Sequence, residues 1–143
     1  MSERWNGEPW RSRAKVLSVL AGATDTTTGI LLVAAPHFTL HLMGIETEDG
    51  NETLIRFIGA FVLGVGASYF LPFLQRDRDQ RIAALRSQFA TTGLIRLSIA
   101  LFTGAAVASG ALIAPWLSVT ASDLALAAVQ GLFIRSRVLD AEN

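Results

Sequence analysis

Four side chains stand where ionised groups are rare. Asp25, Arg56, Arg96 and Asp123 each interrupt a long apolar run. A charge at the centre of a bilayer costs at least about 2.5–3.5 kcal/mol, so such residues face protein or water and mark internal sites. Residues four apart on a helix share a face. On that spacing Asp25 joins Ala21 and Gly29, and Arg56 joins Ala60, Gly64 and Ser68. Arg96 joins Ala100, Gly104 and Ala108, and Asp123 joins Ala127 and Gly131. Small residues let helix backbones approach closely. The four stripes are therefore expected to meet inside a bundle, with the Leu, Ile, Val and Phe faces turned to lipid.

Depth in the bilayer sets the expected partners. Arg56 and Asp123 lie near the same end of their helices and are expected to pair. Arg96 lies nearer the opposite end, where it can reach toward Asp25 or snorkel to the interface. Asp25 falls near the midplane beside Thr24, Thr26, Thr27 and Thr28. A carboxylate there can act as a proton site or bind a polar ligand group, with Gln130 supplying a hydrogen bond. The structural alternative is that Arg56, Arg96 and Asp123 anchor helix ends and pack there, while Asp25 is an internal polar clamp holding the helices in register.

Other chemistry is thinly represented. His37 and His41 are four apart, and with the acidic stretch that follows they can be drawn as metal ligands. An ordinary interfacial position on a short helix 37–43, opened by Pro36, is the simpler reading. The chain has no cysteine, which removes disulfides, thiolate catalysis and zinc-thiolate sites. It shows no Gly-rich phosphate loop, no nucleophile elbow and no carboxylate pair at a catalytic spacing. No cofactor is expected. The 12 basic and 12 acidic residues cancel, so nothing favours nucleic acid as a partner.

The elements that must carry these residues are helices. The 143 residues are 51% hydrophobic, with a mean hydropathy of +0.43, and read as one domain. Four apolar runs cover about 14–35, 53–74, 93–115 and 118–136, each near the ~20 residues that a helix needs to cross a ~30 Å hydrocarbon core. A soluble four-helix bundle would need a polar face on each helix. The runs Gly29 to Ala35 and Phe57 to Val65 are apolar all round. The expected fold is all-α, a bundle of four transmembrane helices. A cleaved secretory signal over the first run is disfavoured, because its apolar stretch is too long and Asp25 to Thr28 would interrupt it.

Basic residues fix the orientation. Arg4, Arg11, Arg13 and Lys15 lie in the N-terminal tail and the very start of the first run, Arg76, Arg78, Arg81 and Arg86 follow the second, and Arg135 and Arg137 close the fourth. The stretch 37–52 carries Glu46, Glu48, Asp49 and Glu52 with no Lys or Arg, and the link at Trp116 and Leu117 is uncharged. Both termini are expected in the cytoplasm, with the chain in the cytoplasmic (inner) membrane. Trp5, Trp10, Tyr69, Phe73 and Trp116 suit the headgroup level. The segment 75–90 is expected as a short helix on the membrane surface, using Ile82, Leu85 and Phe89, or as a solvated loop. Gly29 to Pro36 echoes Gly110 to Pro115, hinting at two related hairpins.

The order of these parts is also familiar. A Leu-Met-Gly-Ile motif spans Leu42 to Ile45, an Arg-x-x-Gly-Ala motif spans Arg56 to Ala60, and Tyr69 and a basic loop follow. In layout, residues 14–137 resemble the uncharacterised bacterial four-helix membrane proteins of the DoxX-like type. The resemblance implies the four-helix fold and, for some relatives, association with respiratory or quinone-linked complexes. It carries over no catalytic residues.

Small size, short loops and the lack of a chemical motif favour a non-enzymatic accessory or structural subunit of a membrane complex, assembled with itself or with a larger partner. The first alternative is a proton-linked transporter or binder of a small lipophilic or cationic molecule, acting through Asp25. The second is a membrane enzyme on a lipid or quinone-like substrate, using Asp25 and Arg56.

Overall fold

A computed structural model describes residues 7–46, 51–136 and 139. Arg4, Trp5, Glu48, Asp49 and Arg137 lie outside the described residues. The described chain is helical throughout: α1 (Gly7–Ala34), α2 (Pro36–Leu42), α3 (Glu52–Ser68), α4 (Arg78–Ala108) and α5 (Leu117–Arg135). Single 3-10 turns at Leu71–Leu74 and Ala114–Trp116 extend α3 and lead into α5. Four segments are long and apolar enough to cross a membrane, at Pro9–Ala34, Glu52–Leu74, Arg78–Ala108 and Ala114–Arg135. The protein is thus built as a multi-pass membrane protein. The apolar side chains that would meet acyl tails, such as Leu20, Phe57, Leu94 and Phe102, point outward.

Each boundary has a local cause. Pro36 has no N–H to continue α1 and opens α2 at its first position. Asp77 caps α4, its carboxylate accepting from the backbone N–H groups of Asp79 and Gln80 at 3.0 and 2.9 Å. Gly110 has φ of +77°, a left-handed conformation that costs a residue with a Cβ. The turn it makes lets the N–H groups of Ala111 and Leu112 reach the carbonyl of Ala106, which ends α4.

Two sequence expectations are corrected here. The segment 75–90 is neither a surface helix nor a loop: from Arg78 it is the first half of α4, continuous to Ala108. Ile82, Leu85 and Phe89 do share a face, but it is buried in the bundle. The echo between Gly29 and Gly110 also has no structural counterpart. Gly29 sits inside α1 where a Cβ would meet the Leu63 backbone, whereas Gly110 forms the turn after α4.

The helices associate as two hairpins, α1 along α3 and α4 along α5. Gly29, Gly59 and Gly66 make the first hairpin close-packed. A Cβ added at any of the three would lie under 3.0 Å from backbone atoms of the facing helix. The hairpins join at the arginine-rich end through a cluster of Ala14, Ala21, Tyr69, Ile82, Phe89 and Phe133. Phe133 stacks edge-on against Trp10 and tilts against Phe89, with centroids 6.3 and 5.9 Å apart. A second cluster of Leu32, Leu40, Ile45 and Ile55 lies at the other end, with Trp116 packed on it.

Candidate functional site

The buried positions follow a seven-residue repeat. In α4, Ile82, Phe89, Arg96 and Thr103 are seven apart and buried, as are Leu85 and Thr92. In α1, Ser18 and Leu32 are buried seven residues either side of the half-buried Asp25. In α5, Asp123 and Gln130 repeat the interval. A straight helix drifts only about 20° per heptad but about 40° per step of four, so the seven-residue seam stays on its partner where a row of fours walks away. Arg96, Asp25 and Asp123 therefore arrive on facing seams at one depth.

Arg96 is the centre of the site. Its side chain is 7% exposed, and it bridges two carboxylates. Nη1 donates to Asp123 Oδ1 at 2.5 Å, and Nη2 donates to Asp25 Oδ2. Nε donates to the Tyr69 hydroxyl at 3.2 Å, with the guanidinium carbon 5.9 Å from the Tyr69 ring centroid. Gln130 Nε2 donates to the same hydroxyl at 2.6 Å and to Thr92 Oγ1 at 3.1 Å. Thr92 in turn donates to the Gln88 carbonyl, and Ser18 donates to the Tyr69 carbonyl at 3.0 Å. One polar network thus ties α1, α4 and α5 to the residue just past the end of α3. A buried charge persists only where it is paired and hydrogen-bonded. Here three guanidinium nitrogens have internal partners.

The structure brings together Asp25, Arg96, Asp123 and Gln130, and leaves Arg56 apart. Arg96 reaches Asp25, one of its two expected orientations. Arg56 does not pair with Asp123. It pairs with Glu52 one turn earlier, at 2.5 Å with side chains 43% and 48% exposed, and donates to the carbonyl of Val33. The cause is rotation: Ala60 and Gly64 are exposed, and nothing lies within 4 Å of a Cβ built on Gly64. The buried face of α3 is Ile55, Gly59 and Gly66. Gly131 and Ala108 likewise face outward, so those two stripes hold only near their charged residue. Gln130 does not bond Asp25 but reaches it through two intermediaries, Tyr69 and then Arg96.

Sequence reasoning missed Tyr69, Thr92 and Ser18. Tyr69, the chain's single tyrosine, suits the headgroup level by its type and position, yet it is 0% exposed. Its signal was the heptad of Ile55, Val62 and Tyr69, which puts it on the buried face of α3. Thr92 is four residues before Arg96 and seven after the buried Leu85.

His37 and His41 lie exposed on α2 and line an open hollow with Phe38, Ile45 and Glu46. Among the described residues no three His, Cys, Asp or Glu side chains gather as metal ligands. A second hollow opens between the end of α3 and the first half of α4, lined by Ser68, Gln75, Ser87, Gln88, Thr91 and Thr92 among others. Compared with models of known families, with curated proteins and with solved structures, the chain has no match.

Proposed function

We propose that this protein is a non-enzymatic accessory or structural subunit of a membrane assembly, held in the cytoplasmic membrane with both termini in the cytoplasm. One observation carries the reading. The ionic centre is closed on itself, with Arg96 donating from Nε, Nη1 and Nη2 to Tyr69, Asp123 and Asp25. Such a centre orders the helices it joins, and both of its carboxylates are engaged by Arg96. The two hollows described above are lined by neither carboxylate. The likeness in layout to DoxX-like four-helix proteins, some of them linked to respiratory complexes, agrees with a subunit role. Gentle detergent extraction followed by native mass spectrometry tests it. A subunit co-purifies with a second membrane protein or with further copies of itself, and a lone monomer would overturn the reading.

A second reading rests on charge. Two carboxylates face one guanidinium, so the fully ionised cluster holds one net negative charge, and Asp25 is its most exposed member at 17% of the side chain. A site of that kind suits a proton-linked transporter or binder of a small cationic or lipophilic molecule. It predicts that Asp25→Asn abolishes proton-driven uptake into vesicles while the protein still folds; uptake unchanged by the substitution excludes it.

A further inference from the structure

The groove between the two hairpins at the arginine-rich end has a composition the closed ionic centre does not explain. It encloses about 280 Å³ and opens to the outside. Its polar lining is neutral and dense: hydroxyls of Ser68, Ser87, Thr91 and Thr92, and amides of Gln75 and Gln88. Its apolar lining is Leu71, Pro72, Ala84 and Ile95. Gln88 Nε2 donates to Ser68 Oγ at 2.7 Å across the floor, joining α4 to α3. Cations stand at the rim. Arg81 precedes Ala84 by three residues on the same face of α4, and its Nε and Nη2 donate to the Gln75 carbonyl at 3.1 and 2.7 Å. Arg76 is exposed next to Gln75. Beside this mouth, Leu71 and Leu74 present bare apolar surface.

Along α4 the groove has three zones in order: Arg81 at the rim, where Asp77 and Asp79 alternate with the arginines, then the polar lining of Ser87, Gln88 and Thr91, and then Ile95. A phospholipid has the matching order of anionic phosphate, ester oxygens and acyl chains. The phosphate oxygens are acceptors only; Ser68 and Thr92 spend their hydroxyl protons on the carbonyls of Val65 and Gln88, and the donors left to a ligand are the hydroxyls of Ser87 and Thr91 and the side-chain amides of Gln75 and Gln88. Surface arginines alone would attract any anionic headgroup, at about 1 kcal/mol each. The lined groove adds donors at fixed positions, which an unstructured basic loop lacks.

We infer that the groove between Ser68, Gln75 and Gln88, with Arg81 at its mouth, is a binding site for the phosphodiester headgroup of an anionic phospholipid. The occupant is an annular lipid held at one place, its chains running on past Ile95 along the bundle. The site uses none of Asp25, Arg96 or Asp123 and touches their network only through Thr92, whose hydroxyl accepts from Gln130 and donates to the Gln88 carbonyl.

The test is native mass spectrometry of the full chain released from micelles doped with phosphatidylglycerol or phosphatidylcholine. The wild type is expected to retain one phosphatidylglycerol in preference to phosphatidylcholine. Arg81→Ala is expected to weaken retention about fivefold, with Arg81→Lys restoring most of it. Gln88→Glu, which sets a negative charge in the pocket, is expected to weaken it about tenfold or more. Arg135→Ala removes the same charge at the same end of the bundle, outside the groove, and is expected to leave retention unchanged. Equal losses in Arg81→Ala and Arg135→Ala would reduce the effect to bulk surface charge and overturn the site. Displacement by millimolar glycerol phosphate or inorganic phosphate would reassign the groove to a soluble phosphate and overturn the lipid assignment. Wild type that retains both lipids equally would also overturn it. Should Arg81→Ala fail to fold, Gln88→Glu alone decides, provided its unfolding midpoint matches wild type.

Discussion

Arg96→Met is the substitution that most directly probes the bundle's interior. Methionine is shorter than arginine but keeps a flexible apolar stem, so the main loss is the charged guanidinium. It deletes three hydrogen bonds donated by a cation, two to the carboxylates of Asp25 and Asp123 and one to the Tyr69 hydroxyl. It also leaves two carboxylates facing each other with side chains only 17% and 10% exposed. Breaking a buried ion pair by removing one partner costs about 3–5 kcal/mol, chiefly because the other charge is stranded. The variant should therefore lose about 3–5 kcal/mol in a reversible unfolding titration with sodium dodecyl sulfate in mixed micelles, followed by circular dichroism. The stranded charge makes a second, sharper expectation. Adding Asp25→Asn and Asp123→Asn to Arg96→Met removes the uncompensated carboxylates and should restore at least about half of the loss, since replacing a whole buried ionic cluster is far milder than halving it. Were Arg96→Met to cost under about 1 kcal/mol, or the triple variant to be no more stable than the single one, Arg96 would not be the electrostatic keystone described above.

Further outcomes follow from the same titration. Tyr69→Phe should cost about 1–3 kcal/mol, because the Arg96 and Gln130 donors lose their shared acceptor in a buried setting; an interfacial tyrosine would lose almost nothing. Gly29→Leu should destabilise by more than about 1–3 kcal/mol, the usual range for overpacking, since even a Cβ there would lie 2.4 Å from the Leu63 amide nitrogen. Gly64→Ala meets nothing within 4 Å and should be neutral or stabilising by up to about 1 kcal/mol. The opposite ranking of these two glycines would contradict the helix rotation. Gly110→Ala should cost about 1–2 kcal/mol, because its φ of +77° is strained for a residue with a Cβ.

The membrane character of the chain was legible in its residues alone. Apolar runs of bilayer length, prolines at 36 and 115 and arginines clustered between runs required no tertiary information, because hydropathy and backbone chemistry are local properties. The short helix over Pro36–Leu42 was legible for the same reason. Three of the four charged residues that stood out, with Gln130, do belong to one network. What local reasoning could not supply was helix rotation. Rows of four put Arg56, Ala60 and Gly64 on one face, and that face is exposed. The seven-residue rows, through Ser18 and Asp25, through Phe89 and Arg96, and through Asp123 and Gln130, are the ones that meet.

The sequence by itself determined that four apolar helices form and that ionised groups inside them need partners. Only the tertiary structure decided which partners. Each helix can turn about its axis at little cost to its own hydrogen bonds, so rotation is set by close approach of two backbones. Gly29, Gly59 and Gly66 permit that approach on one side of the first hairpin only. Asp25 is thereby aimed at Arg96, and Arg56 is left to Glu52 and the edge of the bundle.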